Sequence, residues 1–195
     1  MTGIERRKER KKEGIMRAAL ELFQEFGFDK VSLNEIALRA GVSHVTIYNY
    51  FGSREELIRD VIKNLSLNMI EKYRAIIKED KPYLERLESI VLDKADVISQ
   101  FQGELLQSVI RNDPEIQHFI ESAYQGEIMP MILEFFEEGK KEGHINAELS
   151  PESFMVYMDI ILKGMNARSR LAEGIEHNPK LVRDLMSLIA YGLNG

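Results

Sequence analysis

The chain contains no cysteine. That excludes disulfides, thiolate metal sites, iron–sulfur clusters and a cysteine nucleophile, and it suits a reducing compartment. Nor is there an apolar run of about 18 residues, the length that a membrane-spanning helix needs. No apolar stretch follows the charged residues Glu5 to Glu13, so the start of the chain does not read as a secretory signal. Together these absences predict a cytoplasmic protein without a membrane partner. Strand signals, internal repeats and low-complexity tracts are also missing. So are the motifs of common catalysts: a phosphate-binding P-loop, GxSxG, HExxH and a glycine-rich dinucleotide turn. The histidines at 44, 118, 144 and 177 have neither three- nor four-residue spacing, so no metal site is expected, and no cofactor is implied.

What is present is enough for a folded core. A chain of 195 residues, 44% apolar and 30% charged, hides roughly 70% of the surface that its unfolded form exposes, so it needs no staples. The net charge of −6 is unevenly placed. Residues 1–54 carry ten Lys/Arg against seven Asp/Glu, whereas residues 55–195 carry sixteen against twenty-five. Six of the basic residues fall between Arg6 and Lys12, which points to a nucleic-acid or membrane contact at that end.

The periodicity is helical throughout. Ile15, Ala18, Ala19, Leu22, Phe23 and Phe26 form one apolar face, closed by Gly27. Ser32 and Glu35 have the spacing of a capping box that opens a short helix, and Ser43 can cap another that runs toward Tyr50. From Ser53 to about Asp80 a single stripe (Ile58, Val61, Ile62, Leu65, Met69, Tyr73, Ile76, Ile77) predicts one long helix. Later helices should open at Pro82, Pro114, Pro151 and Pro179, with Asp113, Ser150 and Asn178 as caps. Pro130 lies inside an apolar segment and should kink or break that helix. The last two helices are expected at about Glu152–Ala172 and Lys180–Leu193. The fold class is therefore all-α: a three-helix module in residues 1–54 followed by a helical body in residues 55–195.

The chemistry lies in Ser32 to Leu57. Ala37, Gly41 and Ile47 have the spacing of a helix-turn-helix: a small residue where two helices cross, a glycine in the turn and an apolar anchor. His44, Val45, Thr46, Tyr48 and Asn49 are left toward the outside of the second helix, the element such modules place in the major groove. An ordinary αα-hairpin would have the same three-residue spacing. The segment Thr46 to Leu57, TIYNYFGSREEL, goes further: it resembles the signature that follows the turn in TetR-family (tetracycline-repressor-like) transcriptional regulators. Ala18 to Phe23 followed by Gly27-Phe28 is similar to that family's first helix, and Glu138 to Ile145 is similar to a stretch found in many members.

The resemblance implies an N-terminal helix-turn-helix DNA-binding domain and a C-terminal helical domain for effector binding and dimerisation. Ser32, Asn34 and Ser43 would lie where the family contacts DNA around the turn. His44, Val45 and Asn49 would read base edges, while Thr46, Tyr48 and Tyr50 would meet phosphate or sugar. Arg54 stands where the family usually has Lys, at a helix start that attracts phosphate. Arg6, Arg7 and Lys8 supply a basic arm that could displace counterions. Polar residues among the apolar helices of the body (Gln102, Gln107, Arg111, His118, Tyr124, Asn166) could line an effector cavity with Met158. Phe154, Met158, Ile161, Leu162 and Met165, then Leu181, Leu185 and Leu188, carry apolar stripes that in the family pair across a two-fold axis. The expected protein is a homodimeric repressor that a small molecule releases from a palindromic double-stranded operator. A constitutive DNA binder is the alternative, and an all-α enzyme is a weaker one because catalytic motifs are absent.

Overall fold

A computed structural model describes residues 3–100 and 104–166, with positions 180, 184 and 188 beyond them. Among these residues there are helices and no strand. In chain order they are α1 (Gly3–Phe26), α2 (Leu33–Ala40), α3 (His44–Phe51), α4 (Arg54–Ile77), α5 (Tyr83–Gln100), α6 (Glu104–Asn112), α7 (Pro114–Ala123), α8 (Met129–Lys141) and α9 (Pro151–Asn166).

The chain divides into two compact units, Met1–Met69 with Gln100–Ser122, and Ile70–Ser99 with Ala123–Gly195. The boundary expected after residue 54 falls at the first residue of α4, whereas the division by packing runs through that helix. The first half of α4 is held within the first unit by charge. Arg59 pairs with Asp113 at 2.7 Å and Glu115 at 3.2 Å, and Lys63 pairs with Glu115 at 2.6 Å. Asp113 also caps α7, accepting the Glu115 and Ile116 N–H groups at 3.0 and 3.1 Å. One carboxylate thus closes a helix end and anchors an arginine.

In the first unit α2 packs against both α1 and α3. Ile15, Ala19, Leu22 and Phe23 of α1 are buried, as are Ile36, Ile47 and Leu57. Phe26, expected on the same face, is half exposed. The helix ends there, Gly27 turns the chain at φ 84°, and Phe28 stacks on Phe23 at 4.8 Å in its place.

The second unit is built around Tyr83, Leu87, Val91, Phe135, Phe136, Ile145 and Phe154. Tyr83 stacks between Phe135 at 4.4 Å and His144 at 5.2 Å. Arg86 is 4% exposed. Its guanidinium donates to both oxygens of Glu138, at 2.6 and 3.3 Å, and to the Ile77 carbonyl at the end of α4. Burying an arginine is tolerable only with such partners. Gly139 is required by close approach, since a Cβ there would meet the Tyr83 ring at 2.6 Å and Ile145 at 2.8 Å. The Glu138–Ile145 stretch seen in the sequence is therefore a packing device. Its glutamate anchors Arg86, its glycine admits Tyr83, and Gly143 makes the turn at φ 77°.

Pro130 does not break its helix. It occupies the first turn of α8, directly after a π-helical turn at Tyr124–Ile128 that connects α7 to α8 without a gap. The Met129 N–H bonds back to the Tyr124 carbonyl, so the wider turn takes up the disturbance just before the residue that lacks an N–H. The helix α6 is absent from the sequence reading, because neither a proline nor a capping residue announces its start.

Two glycine substitutions should have opposite signs. Gly139→Ala should cost about 1–3 kcal/mol in urea unfolding, the usual penalty of overpacking. Gly14→Ala, in the interior of α1 where a Cβ meets nothing within 4 Å, should stabilise by up to about 1 kcal/mol. Equal effects would contradict this packing. Acid should act through Glu138, whose hydrogen bond from Arg86 holds its carboxyl below the ordinary 4.5. A depressed carboxyl contributes its stability above that value and loses it as pH falls through the folded value. Glu138→Gln should therefore flatten the loss of thermal stability below pH 4.5.

Candidate nucleic-acid interface

The helix-turn-helix is held at both caps. Ser32 opens α2 in extended conformation, its Oγ accepting the Glu35 N–H at 3.3 Å while Glu35 accepts the Ser32 N–H at 2.8 Å. The Ser32 hydroxyl also donates to Glu35 at 2.6 Å, and this bond lowers the Glu35 carboxyl below its ordinary value. Gly41 closes α2 at φ 65°, its N–H and that of Val42 turning back to the helix's last carbonyls. Ser43 then opens α3, accepting the Thr46 N–H at 3.1 Å and lying 2.9 Å from the Thr46 hydroxyl. Gly52 ends α3 at φ 77°.

Ile47 and Phe51 bury one side of α3. The opposite side is open: His44, Val45, Tyr48 and Asn49 are exposed, with Val45 and Tyr48 at 64% and 60%. The i,i+4 pairs 44/48 and 45/49 place these four on one face. An open face with two hydrogen-bonding side chains, a tyrosine and a valine suits base edges and thymine methyl groups. Tyr50 is only half-buried and lies beside Phe51 at 6.3 Å. Asn34 is exposed on α2.

Other positions serve the scaffold. The hydroxyls of Ser32, Ser43 and Thr46 are engaged in the caps just described. Arg54, expected on phosphate, sends its guanidinium inward: Nε donates to the Val31 carbonyl at 3.1 Å and Nη2 to the Phe28 carbonyl. It ties the start of α4 to the loop between α1 and α2. The expected N-terminal arm is helical from Gly3, with Arg6, Arg7 and Lys8 exposed in the first turns of α1. Lys12 pairs with Asp60 at 2.7 Å and sits over the Phe51 ring, so the basic run ends as a strut.

One exposed residue escaped the sequence reading. Leu38 on α2 is 84% exposed, the largest value among the exposed large apolar side chains of the described residues. The available signal was its offset from the α2 face made by Ile36 and Ala37.

Four of the expected effector residues have described side chains, and they fall in both units. Gln107, Arg111 and His118 are exposed on α6 and α7 in the first unit, while Tyr124 is half-buried in the π turn of the second. A solvated side chain on an outer helix face does not line an enclosed cavity. Gln102 lies outside the described residues, as do the side chains of Met158 and Asn166. Phe154, expected at a subunit interface, tilts against Phe136 at 4.8 Å inside its own core, which leaves it no surface for a second chain. Val156 and Ile160 of α9 are the exposed apolar pair instead, at 61% and 62%, and Leu188, expected at that interface, is exposed. Ile161, Leu162 and Met165 have side chains outside the description, and Leu181 and Leu185 lie outside it entirely.

Arg54 gives a direct test of scaffold against contact. Arg54→Met should lower stability by about 1.5–3 kcal/mol in urea unfolding, the range for hydrogen bonds to a charged group. Unchanged stability with weakened DNA binding would return it to the phosphate-contacting set.

Residues 15–61 match the family model described as "Bacterial regulatory proteins, tetR family". The HTH-type transcriptional regulator YvdT of Bacillus subtilis, itself uncharacterised, is 29% identical over 96 residues. That alignment covers 49% of this chain and only 49% of the relative. A second B. subtilis regulator, YdgC, is 23% identical over 194 residues, covering 98% of this chain and 94% of its own. Among solved structures, the transcriptional regulator FadR from Bacillus subtilis in complex with stearoyl-CoA superposes with a TM-score of 0.65 at 22% identity. It covers 94% of this chain and 97% of that one. The helical fold of this chain, from the helix-turn-helix to the body after it, is thus shared with a solved regulator. Residues 15–61 of this chain are thus a DNA-binding module of the tetR family of bacterial regulatory proteins, followed by a helical body with the fold of solved regulators.

Proposed function

We propose that this regulator is a homodimeric repressor that a small-molecule effector releases from a palindromic double-stranded operator. The observation that carries the reading is the open α3 face of His44, Val45, Tyr48 and Asn49, set on a helix whose other side is fully packed. In this reading the residues up to 54 read DNA and the rest serve the effector and the second subunit. Exposed Val156 and Ile160, at i,i+4 spacing on α9, with Leu188 beyond, support a helical surface that a second copy covers. A long-chain acyl-CoA is the first effector to try, because the similar FadR was solved with stearoyl-CoA.

The test is selection of binding sites from random duplexes by the full chain, with sedimentation alongside. The expected site is two-fold symmetric, with half-sites about one helical turn (34–36 Å) apart or a multiple of it. His44→Ala should relax base preference at one position per half-site while leaving the salt dependence unchanged. Val156→Glu with Ile160→Glu should yield a folded monomer. An effector should weaken operator affinity roughly 5- to 150-fold, and operator should weaken effector binding by the same factor. An asymmetric selected site, or a wild type that is monomeric at micromolar concentration, would overturn the homodimeric reading.

A further inference from the structure

The first unit contains a groove of about 550 Å³ between α1 and the first half of α4, away from every residue expected to hold an effector. Small-molecule sites usually run roughly 300–1,000 Å³. Its floor is apolar, made by buried Met16 and Val61. Its rim is polar. Arg10 and Arg17 on α1 stand at i,i+7, and Asn64 and Asn68 stand one turn apart on α4. Among the described residues no hydrogen bond or ion pair holds either arginine, although most of the neighbouring cations are paired: Lys12 with Asp60, Arg59 with Asp113, Lys63 with Glu115. Asn68 donates to the Asn64 carbonyl at 2.9 Å, which leaves the Asn64 amide nitrogen as a further donor.

Gly14 lies between the two arginines. It has ordinary helical backbone, a Cβ there would meet nothing within 4 Å, and glycine is among the poorest formers of a helix interior. Neither conformation nor crowding within the chain asks for glycine at this position. Gly14 is itself on the groove lining, so a larger side chain there would take up part of the groove's space. Glu13 is the one carboxylate on the lining, so two guanidinia outweigh it and the site carries net positive charge.

We propose that this groove binds a small organic anion, with a phosphate or carboxylate head taken by Arg10 and Arg17 and an apolar body seated on Met16 and Val61. Guanidinium forks match such heads in a bidentate manner. The occupant would bridge α1 to α4, inside the unit that carries the reading helix. This inference does not depend on an effector elsewhere in the chain.

Phenyl phosphate is the probe, titrated into the full chain labelled with 15N-glycine. Benzyl alcohol supplies a similar body without charge, and benzyltrimethylammonium supplies it with the opposite charge. The Gly14 amide resonance should shift saturably with phenyl phosphate and not with the other two. Arg10→Gln with Arg17→Gln should weaken binding at least tenfold. Lys8→Gln, a charge loss outside the groove, should change it less than twofold. No saturable shift, equal shifts from all three probes, or unchanged affinity in the double variant would overturn the proposal. A random-sequence duplex that displaces phenyl phosphate one for one would also overturn it, since the groove would then be a DNA-backbone contact.

Discussion

An eight-residue helix does not hold itself together in water, because the few hydrogen bonds it closes cannot offset the dihedral freedom lost in starting it. Both α2 and α3 are of that length. The open face of α3 therefore exists only because other parts of the first unit hold it. Ile47 and Phe51 bury its inner side, Ser43 supplies its first turn, and Lys12 lies over the Phe51 ring from α1. Arg54 then fixes the start of α4 to the loop preceding α2. Contacts from the longer α1 and α4 thus brace two short helices that could not persist alone.

The second unit solves a different problem with a similar device. Arg86 reaches the last-turn carbonyl of α4 and a carboxylate on α8 at once, so one buried cation joins helices distant in sequence. Breaking one partner would leave a charge in the core, which makes the arrangement costly to disturb. Tyr83 lies beside it, its hydroxyl buried with no partner among the described residues and its ionisation pushed up by burial. Both depend on the end of α8 and the turn after it, where Gly139 makes room for the Tyr83 ring and Gly143 turns the chain at φ 77°.

What the sequence revealed follows from range. The capping box at Ser32 and Glu35, the cap at Ser43, the glycine turn at Gly41 and the long α4 all rest on neighbours within four residues, and each is legible as spacing. Arg54 was misread because its acceptors lie 23 and 26 residues earlier, and nothing local separates an arginine that faces phosphate from one that faces carbonyls. Periodicity showed that α9 is amphipathic but not which stripe the chain's own core would take. Phe154 went inward, while Val156 and Ile160 stayed out. Polarity was a poorer guide still. Gln107, Arg111 and His118 are polar because they meet solvent, and the α1–α4 groove was missed because its parts come from helices some fifty residues apart.

The two capping serines have one more consequence. Aspartate caps a helix as well as serine does, and its charge would favour the positive end of the helix dipole. At position 32 Glu35 already sets a carboxylate beside the serine, but the first turn of α3 holds no acidic side chain. In the proposed reading a carboxylate at position 43 would face a polyanion and subtract from the counterion-release term. The neutral hydroxyl there gives the same backbone closure without that repulsion, a compromise between folding the module and letting it approach its proposed target. Phosphate added to Ser43 would reverse the compromise in a single step, removing a cap and planting charge at the same place.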